Sequence, residues 1–122
     1  MKLMTKELLG RIPPLYTNEN ETDPIVVCKF FTPDGAWTWY VIEGATREDG
    51  GCGFGKDCLH KPLSEYDPEH DDILFFGYVV GDEPEFGYFT LGELKSIRGG
   101  LGLRVERDLY FKPCRISTLP VW

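Results

Sequence analysis

The run Ile73-Leu74-Phe75-Phe76-Gly77-Tyr78-Val79-Val80 constrains the chain most. It is apolar on both alternations, so a strand built from it has no face to offer water. Such a strand belongs in the middle of a sheet, with neighbours on both edges and cover on both sides. One neighbour follows at once: Gly81-Asp82-Glu83-Pro84 reads as a turn, and Glu85-Phe86-Gly87-Tyr88-Phe89 as the returning strand. A second pair lies upstream. Ile25-Val26-Val27-Cys28-Lys29-Phe30-Phe31 is β-branched and aromatic, Pro33-Asp34-Gly35 is a turn, and Ala36 to Glu43 returns. A period of two puts Trp37, Trp39, Val41 and Glu43 on one face and Thr38, Tyr40 and Ile42 on the other.

Two short helices complete the pattern. Thr5 caps Lys6-Glu7-Leu8-Leu9, with Gly10 and Pro13-Pro14 as its stop. Thr90, with Glu93 three residues on, has the form of a capping box, and Leu91, Leu94 and Ile97 give an apolar stripe up to Gly99-Gly100. A last strand is expected from Val105 to Phe111, before Pro113. The expected fold is therefore α+β: an antiparallel sheet of about five strands, with two or more short helices packed on one face or edge. The 122 residues suit a single domain spanning 1–122, with a long irregular acidic loop at about 44–72.

Charge and composition narrow the function classes. No apolar run approaches the roughly 18 to 20 residues a bilayer span needs. The N-terminus lacks the apolar segment and cleavage site of a signal peptide, so a cytoplasmic protein is expected, with no membrane partner. Cys28, Cys52, Cys58 and Cys114 are then expected as reduced thiols. The net charge is -7, unevenly spread: residues 43 to 85 hold twelve acids and three bases, and residues 86 to 122 three acids and six bases. An acidic chain is a poor ligand for phosphate backbones, so direct nucleic-acid binding is not expected. A basic protein partner fits better. The acidic patch expected to meet it comprises Glu65, Asp67, Glu69, Asp71 and Asp72, together with Asp82, Glu83 and Glu85 on the turn beyond the next strand.

Other chemistry weighs less. On an extended strand Glu106 and Asp108 share a face and, with a third acid, could hold a hard cation such as Mg²⁺. Arg107, with Arg98 nearby, offers them ion-pair partners, and a structural charged network of Arg98, Glu106, Arg107 and Asp108 is the preferred reading. Cys52, Cys58, His60 and His70 are zinc-compatible ligand types, but their spacing fits no usual zinc motif. No catalytic residue, metal or cofactor is assigned. No phosphate loop or nucleophile elbow is present in the sequence. The strand aromatics are read as core, with any left on an uncovered sheet face marking a protein interface.

The stretches TKELLGRIPPLY, FFTPDGAWTWYVIEG and FFGYVVGDEPEFGYFTLGELKSIRGGLGLRVERDLYFKP together resemble the domain of unknown function 2958. This is a family of small proteins carried by plasmids, conjugative elements and phages. The resemblance covers the chain except about residues 46–71, and is carried by Gly87-Tyr88-Phe89, Glu93-Leu94 and Glu106-Arg107-Asp108. One member has been put forward as an anti-CRISPR protein acting on a type II effector. The resemblance thus implies a non-enzymatic binding protein that blocks an RNA-guided nuclease. The alternative is a metal-dependent enzyme or accessory factor acting on nucleic acid.

Overall fold

A computed structural model describes residues 2–48 and 61–120. Among these residues seven strands are present: β1 (Ile25–Val26), β2 (Cys28–Phe31), β3 (Thr38–Glu48), β4 (Asp71–Val80), β5 (Pro84–Thr90), β6 (Glu106–Arg107) and β7 (Cys114–Arg115). Five of them form an antiparallel sheet in the order β5-β4-β3-β2-β6, and β1 pairs with β7 in a second, two-stranded sheet. Helices α1 (Lys6–Leu9) and α2 (Leu91–Ser96) are short. The architecture is α+β, as the sequence pattern predicts. No helix among the described residues is long and apolar enough to cross a membrane.

β4 lies between β3 and β5, where its two-sided apolar run requires it to be. One face of the sheet contributes Phe30, Trp39, Val41, Ile73, Phe75 and Phe89 to a core closed by Leu8 of α1 and by Leu91 and Leu94 of α2. The opposite face carries Tyr40, Ile42 and Tyr78 and is covered by Val26, Ile116 and Leu119 from the small sheet and the chain's end. Phe76 packs against that cluster while staying partly exposed, and Phe86 and Tyr88 remain exposed.

Both hairpins form as expected. At the first turn, Thr32 Oγ1 accepts the Trp37 N–H at 3.1 Å and the Thr32 N–H donates to the Trp37 carbonyl at 3.0 Å. Thr90 caps α2 by accepting the Glu93 N–H at 3.1 Å. The reciprocal arm of the capping box is absent: Asp72 Oδ1 instead accepts the Gly92 N–H at 2.9 Å, from the end of β4. Thr90 also still belongs to β5, opposite Leu74.

Four boundaries differ from the sequence pattern, each for a local reason. The first run divides at Val27, where the chain passes from the small sheet to the large one and the Val27 N–H bonds the Val41 carbonyl at 2.8 Å. β3 continues to Glu48, so the irregular stretch expected from residue 44 is strand at its start. Beyond Val41, β2 no longer pairs with β3; the Pro13 and Lys61 carbonyls accept the Gly44 and Thr46 N–H groups at 3.0 and 2.8 Å instead. α2 ends at Ser96, and Arg98 Nη1 donates to the Lys95 and Ile97 carbonyls at 2.8 and 2.9 Å. The last strand shrinks to Glu106–Arg107 because Asp108 turns the chain. Its N–H bonds the Lys29 carbonyl at 2.9 Å, and its Oδ1 accepts the Tyr110 N–H at 2.9 Å.

Candidate functional site

The site begins with a β-bulge. β3 and β4 shift register between Val41 and Glu43, so Val41 faces Gly77 while Glu43 faces Phe76. A bulge adds one residue to a strand and reverses the alternation beyond it. Glu43, expected beside Trp39 and Val41, is therefore carried to the opposite face, beside Phe76. Gly77 makes the close approach possible: a Cβ there would stand 1.9 Å from the Tyr40 carbonyl oxygen.

Glu43 is buried, with 4% of its surface exposed. A polar group buried in such a place needs hydrogen-bond partners. This one accepts the Tyr16 N–H at 2.9 Å on Oε1 and the Asn18 N–H at 2.5 Å on Oε2. Tyr16 has a φ of 70°, a left-handed conformation uncommon for a side chain of its size. The carboxylate thus pins a turn that would otherwise be unfavourable, and the polar loop after Pro14 is laid along the sheet.

Between that loop and the sheet is a cleft of about 530 Å³. Ile42 and Pro24 contribute to its lining, as do the rings of Tyr16, Phe76, Phe86 and Tyr88. Phe86 and Tyr88 remain 45% and 38% exposed. Their rings are organised: Phe76 and Phe86 lie nearly parallel, 7° apart at 6.0 Å, with Tyr88 tilted against Phe76 at 5.2 Å and Tyr78 against Phe86 at 5.1 Å. Such pairs each contribute about 0.5–1.5 kcal/mol beyond burial. Among the described residues, the charged ones lining the cleft are Glu19, Glu21 and Glu43, with no lysine or arginine. The Tyr88 hydroxyl pKa is raised, first by burial and then by Tyr16 and the Glu43 and Glu19 carboxylates.

The acidic residues singled out from sequence fall into two groups at opposite ends of β4, roughly 30 Å apart at the usual rise per residue. The first group is largely occupied with the fold. Asp71 takes the Lys61 ammonium at 3.2 Å and the Asp67 N–H at 3.0 Å. Asp72 accepts the Ile73 and Gly92 N–H groups. Asp67 takes the Glu69 N–H and the His70 ring at 2.8 Å, and these hold its carboxyl below the usual range, the His70 bond foremost. Glu65 and Glu69 are exposed. The second group, Asp82 and Glu83 on the β4–β5 turn and Glu85 at the start of β5, is exposed, and none of its carboxylates has a bond to another described residue.

Glu106 and Arg107 form β6, paired with Phe31 and Phe30 of β2. Arg98 serves backbone carbonyls, while Asp108 Oδ2 lies 3.8 Å from Lys29 Nζ. Among the described residues no group of three or more His, Cys, Asp or Glu is placed to hold a metal ion. Cys52, Cys58 and His60 lie outside the described residues.

On the helical side, Lys2, Lys6, Lys95 and Arg104 line a groove of about 660 Å³. These cations come from three separate stretches of sequence. Charge is thus segregated: acids line the aromatic cleft and cations the groove on the other side.

Sequence reasoning missed three carboxylates that tie the chain together. Asp34 accepts the Leu101 and Leu103 N–H groups at 2.6 and 3.2 Å, and Asp23 takes the Ser117 N–H and hydroxyl at 2.9 and 2.7 Å. Glu43 is the third. Comparison with family models matches residues 62–122 to the family described as Protein of unknown function (DUF2958). Comparison with curated proteins and with solved structures finds no match.

Proposed function

The chain belongs to the DUF2958 family of proteins of unknown function, and from that premise we propose that it is a non-enzymatic acidic binding protein of a mobile genetic element, built to dock on a basic protein. One observation carries the reading. The exposed acidic stretch Asp82-Glu83-Pro84-Glu85 leads directly into the exposed rings of Phe86 and Tyr88. Exposed aromatic surface rimmed by charge of one sign is a common form of protein interface. Acidic charge steers it towards a basic partner and speeds encounter.

The concrete partner is a type II RNA-guided nuclease. Such enzymes hold their heteroduplex in a positively charged channel, which an acidic protein can occupy or obstruct. On this reading the protein acts in the cytoplasm, where its target works. The test is target cleavage by such a nuclease with rising amounts of this protein, at low and high salt. Inhibition that weakens at high salt, and is reduced by the triple variant Asp82→Asn, Glu83→Gln, Glu85→Gln, is expected. Undiminished cleavage at large molar excess would remove the nuclease as the target.

A further inference from the structure

We propose that the cleft beside Glu43 is a receptor for an arginine side chain presented on an extended segment of a protein partner. This deepens the reading above and rests on it for the kind of occupant, a protein side chain. The cleft combines two features that a guanidinium satisfies together. It has aromatic walls, from Phe76, Phe86 and Tyr88, and among the described residues its charged lining groups are carboxylates, Glu19, Glu21 and Glu43. A guanidinium is planar, weakly hydrated and rich in donors, so it can lie against rings while its N–H groups reach carboxylates. A lysine ammonium is compact and strongly hydrated, and loses more on entering an apolar cleft.

The arrangement is already held before any ligand arrives. Glu43 is fixed by two backbone N–H groups, and a carboxylate has capacity for further donors beyond those two. The Phe76, Phe86 and Tyr88 rings brace one another. Preorganisation of this kind reduces the ordering cost of binding. Burial first, then Tyr16, and after them the Glu43 and Glu19 carboxylates make the Tyr88 hydroxyl hold its proton more tightly. At the rim, Glu21 already has one guanidinium for a neighbour, Arg115 Nη1 at 3.9 Å. A volume of about 530 Å³ is within the range of ligand sites and exceeds what one side chain fills, so the residues flanking the arginine enter as well.

The test uses the full chain, labelled with ¹⁵N and titrated with three blocked tripeptides, Gly-Arg-Gly, Gly-Lys-Gly and Gly-Leu-Gly. Saturable shifts of the Tyr16, Asn18, Glu43 and Tyr88 amides are expected with the arginine peptide. Binding of the lysine peptide should be several-fold weaker, and the leucine peptide should leave these amides unmoved. Glu43 variants disturb the fold, so Phe86→Ala and Glu19→Gln, both at exposed positions, provide the controls. Phe86→Ala should weaken arginine binding about five-fold, the scale of one cation–π contact. Equal response to the leucine peptide, no saturation with arginine, or an unchanged affinity in Phe86→Ala overturns the assignment. So does self-association that shifts the same amides without peptide, since the occupant is then a second copy. The two readings fail separately. A nuclease inhibited by a chain that ignores arginine removes the receptor alone; arginine bound by a chain that leaves the nuclease untouched removes the nuclease alone.

Discussion

Glu43→Ala tests whether the bulge and the cleft are one device. The substitution removes the acceptor of two N–H groups, Tyr16 at 2.9 Å and Asn18 at 2.5 Å. A hydrogen bond to a charged group contributes about 1.5–3 kcal/mol, and a buried donor left unpaired carries a cost of similar size. Two bonds set an upper bound of roughly 6 kcal/mol. Water entering through the open cleft can re-pair part of this, and the buried carboxylate no longer has to be desolvated. Both corrections bring the expected loss to about 3 kcal/mol. For a domain of this length that is a fall in Tm of roughly 12 °C. Urea unfolding should show a lower midpoint with an unchanged slope. Glu43→Gln keeps one acceptor oxygen, so its loss should be about half as large. The Tyr16 and Asn18 amides should also exchange faster in both variants, because their backbone is released. A loss below about 0.5 kcal/mol for Glu43→Ala, the range of ordinary surface substitutions, would refute the claim that this carboxylate pins the loop.

Three further outcomes are expected. Gly77→Ala places a Cβ 1.9 Å from the Tyr40 carbonyl and must force β3 and β4 apart at a loss of about 3 kcal/mol, whereas Gly87→Ala meets open space and should be mild; similar urea midpoints for the two would contradict the close approach. Cys28 is buried and its thiol pKa is pushed up to about 12 by that burial, so peptide mapping after mild alkylation of folded protein should find Cys114 modified and Cys28 intact. Asp23 is held below its usual 3.8 mainly by the Ser117 hydroxyl and N–H. A depressed carboxyl stabilises fully above the unfolded value and loses that contribution as pH falls through the folded one, so stability should decline below pH 3.8. Asp23→Asn should flatten that decline, and an unaltered acid limb would count against the assignment.

The parts of the fold that were legible in the sequence are those whose cause is local. A two-sided apolar run can only be interior strand, a Pro-Asp-Gly turn presets its own backbone, and a threonine before an apolar stripe caps a helix. The bulge at Val41 to Glu43 has no such mark. A glutamate followed by glycine at the end of an alternating run looks like a strand reaching solvent, and only the tertiary pairing with Phe76 shows the strand continuing. The cleft depends on that bulge and was invisible with it. Its parts could still have been suspected: Phe86 and Tyr88 alternate outward on β5, and the sequence did mark an uncovered aromatic face as an interface.

Charge was harder to read, because a sequence counts carboxylates without knowing which ones water sees. Asp34 reaches N–H groups 67 and 69 residues away, Asp23 a residue 94 away, and Glu43 two residues 25 and 27 away. No periodicity encodes contacts at those separations. These acids act as long-range clips for backbone donors, as Asp71 and Asp72 do over shorter spans, yet each adds one unit to the net charge of -7. The charge available to a partner is therefore smaller than composition implies, and the exposed Asp82, Glu83 and Glu85 are part of it. Neutralising Asp34, Asp72 or Glu43 would lower binding by loosening the molecule, and would resemble a mapped interface in any assay that does not also measure folding. Neutralising Asp82, Glu83 or Glu85, whose carboxylates bond no other described residue, changes the field with the fold intact. A binding loss confined to the second set identifies the partner's side of contact; a loss spread equally over both sets reports stability.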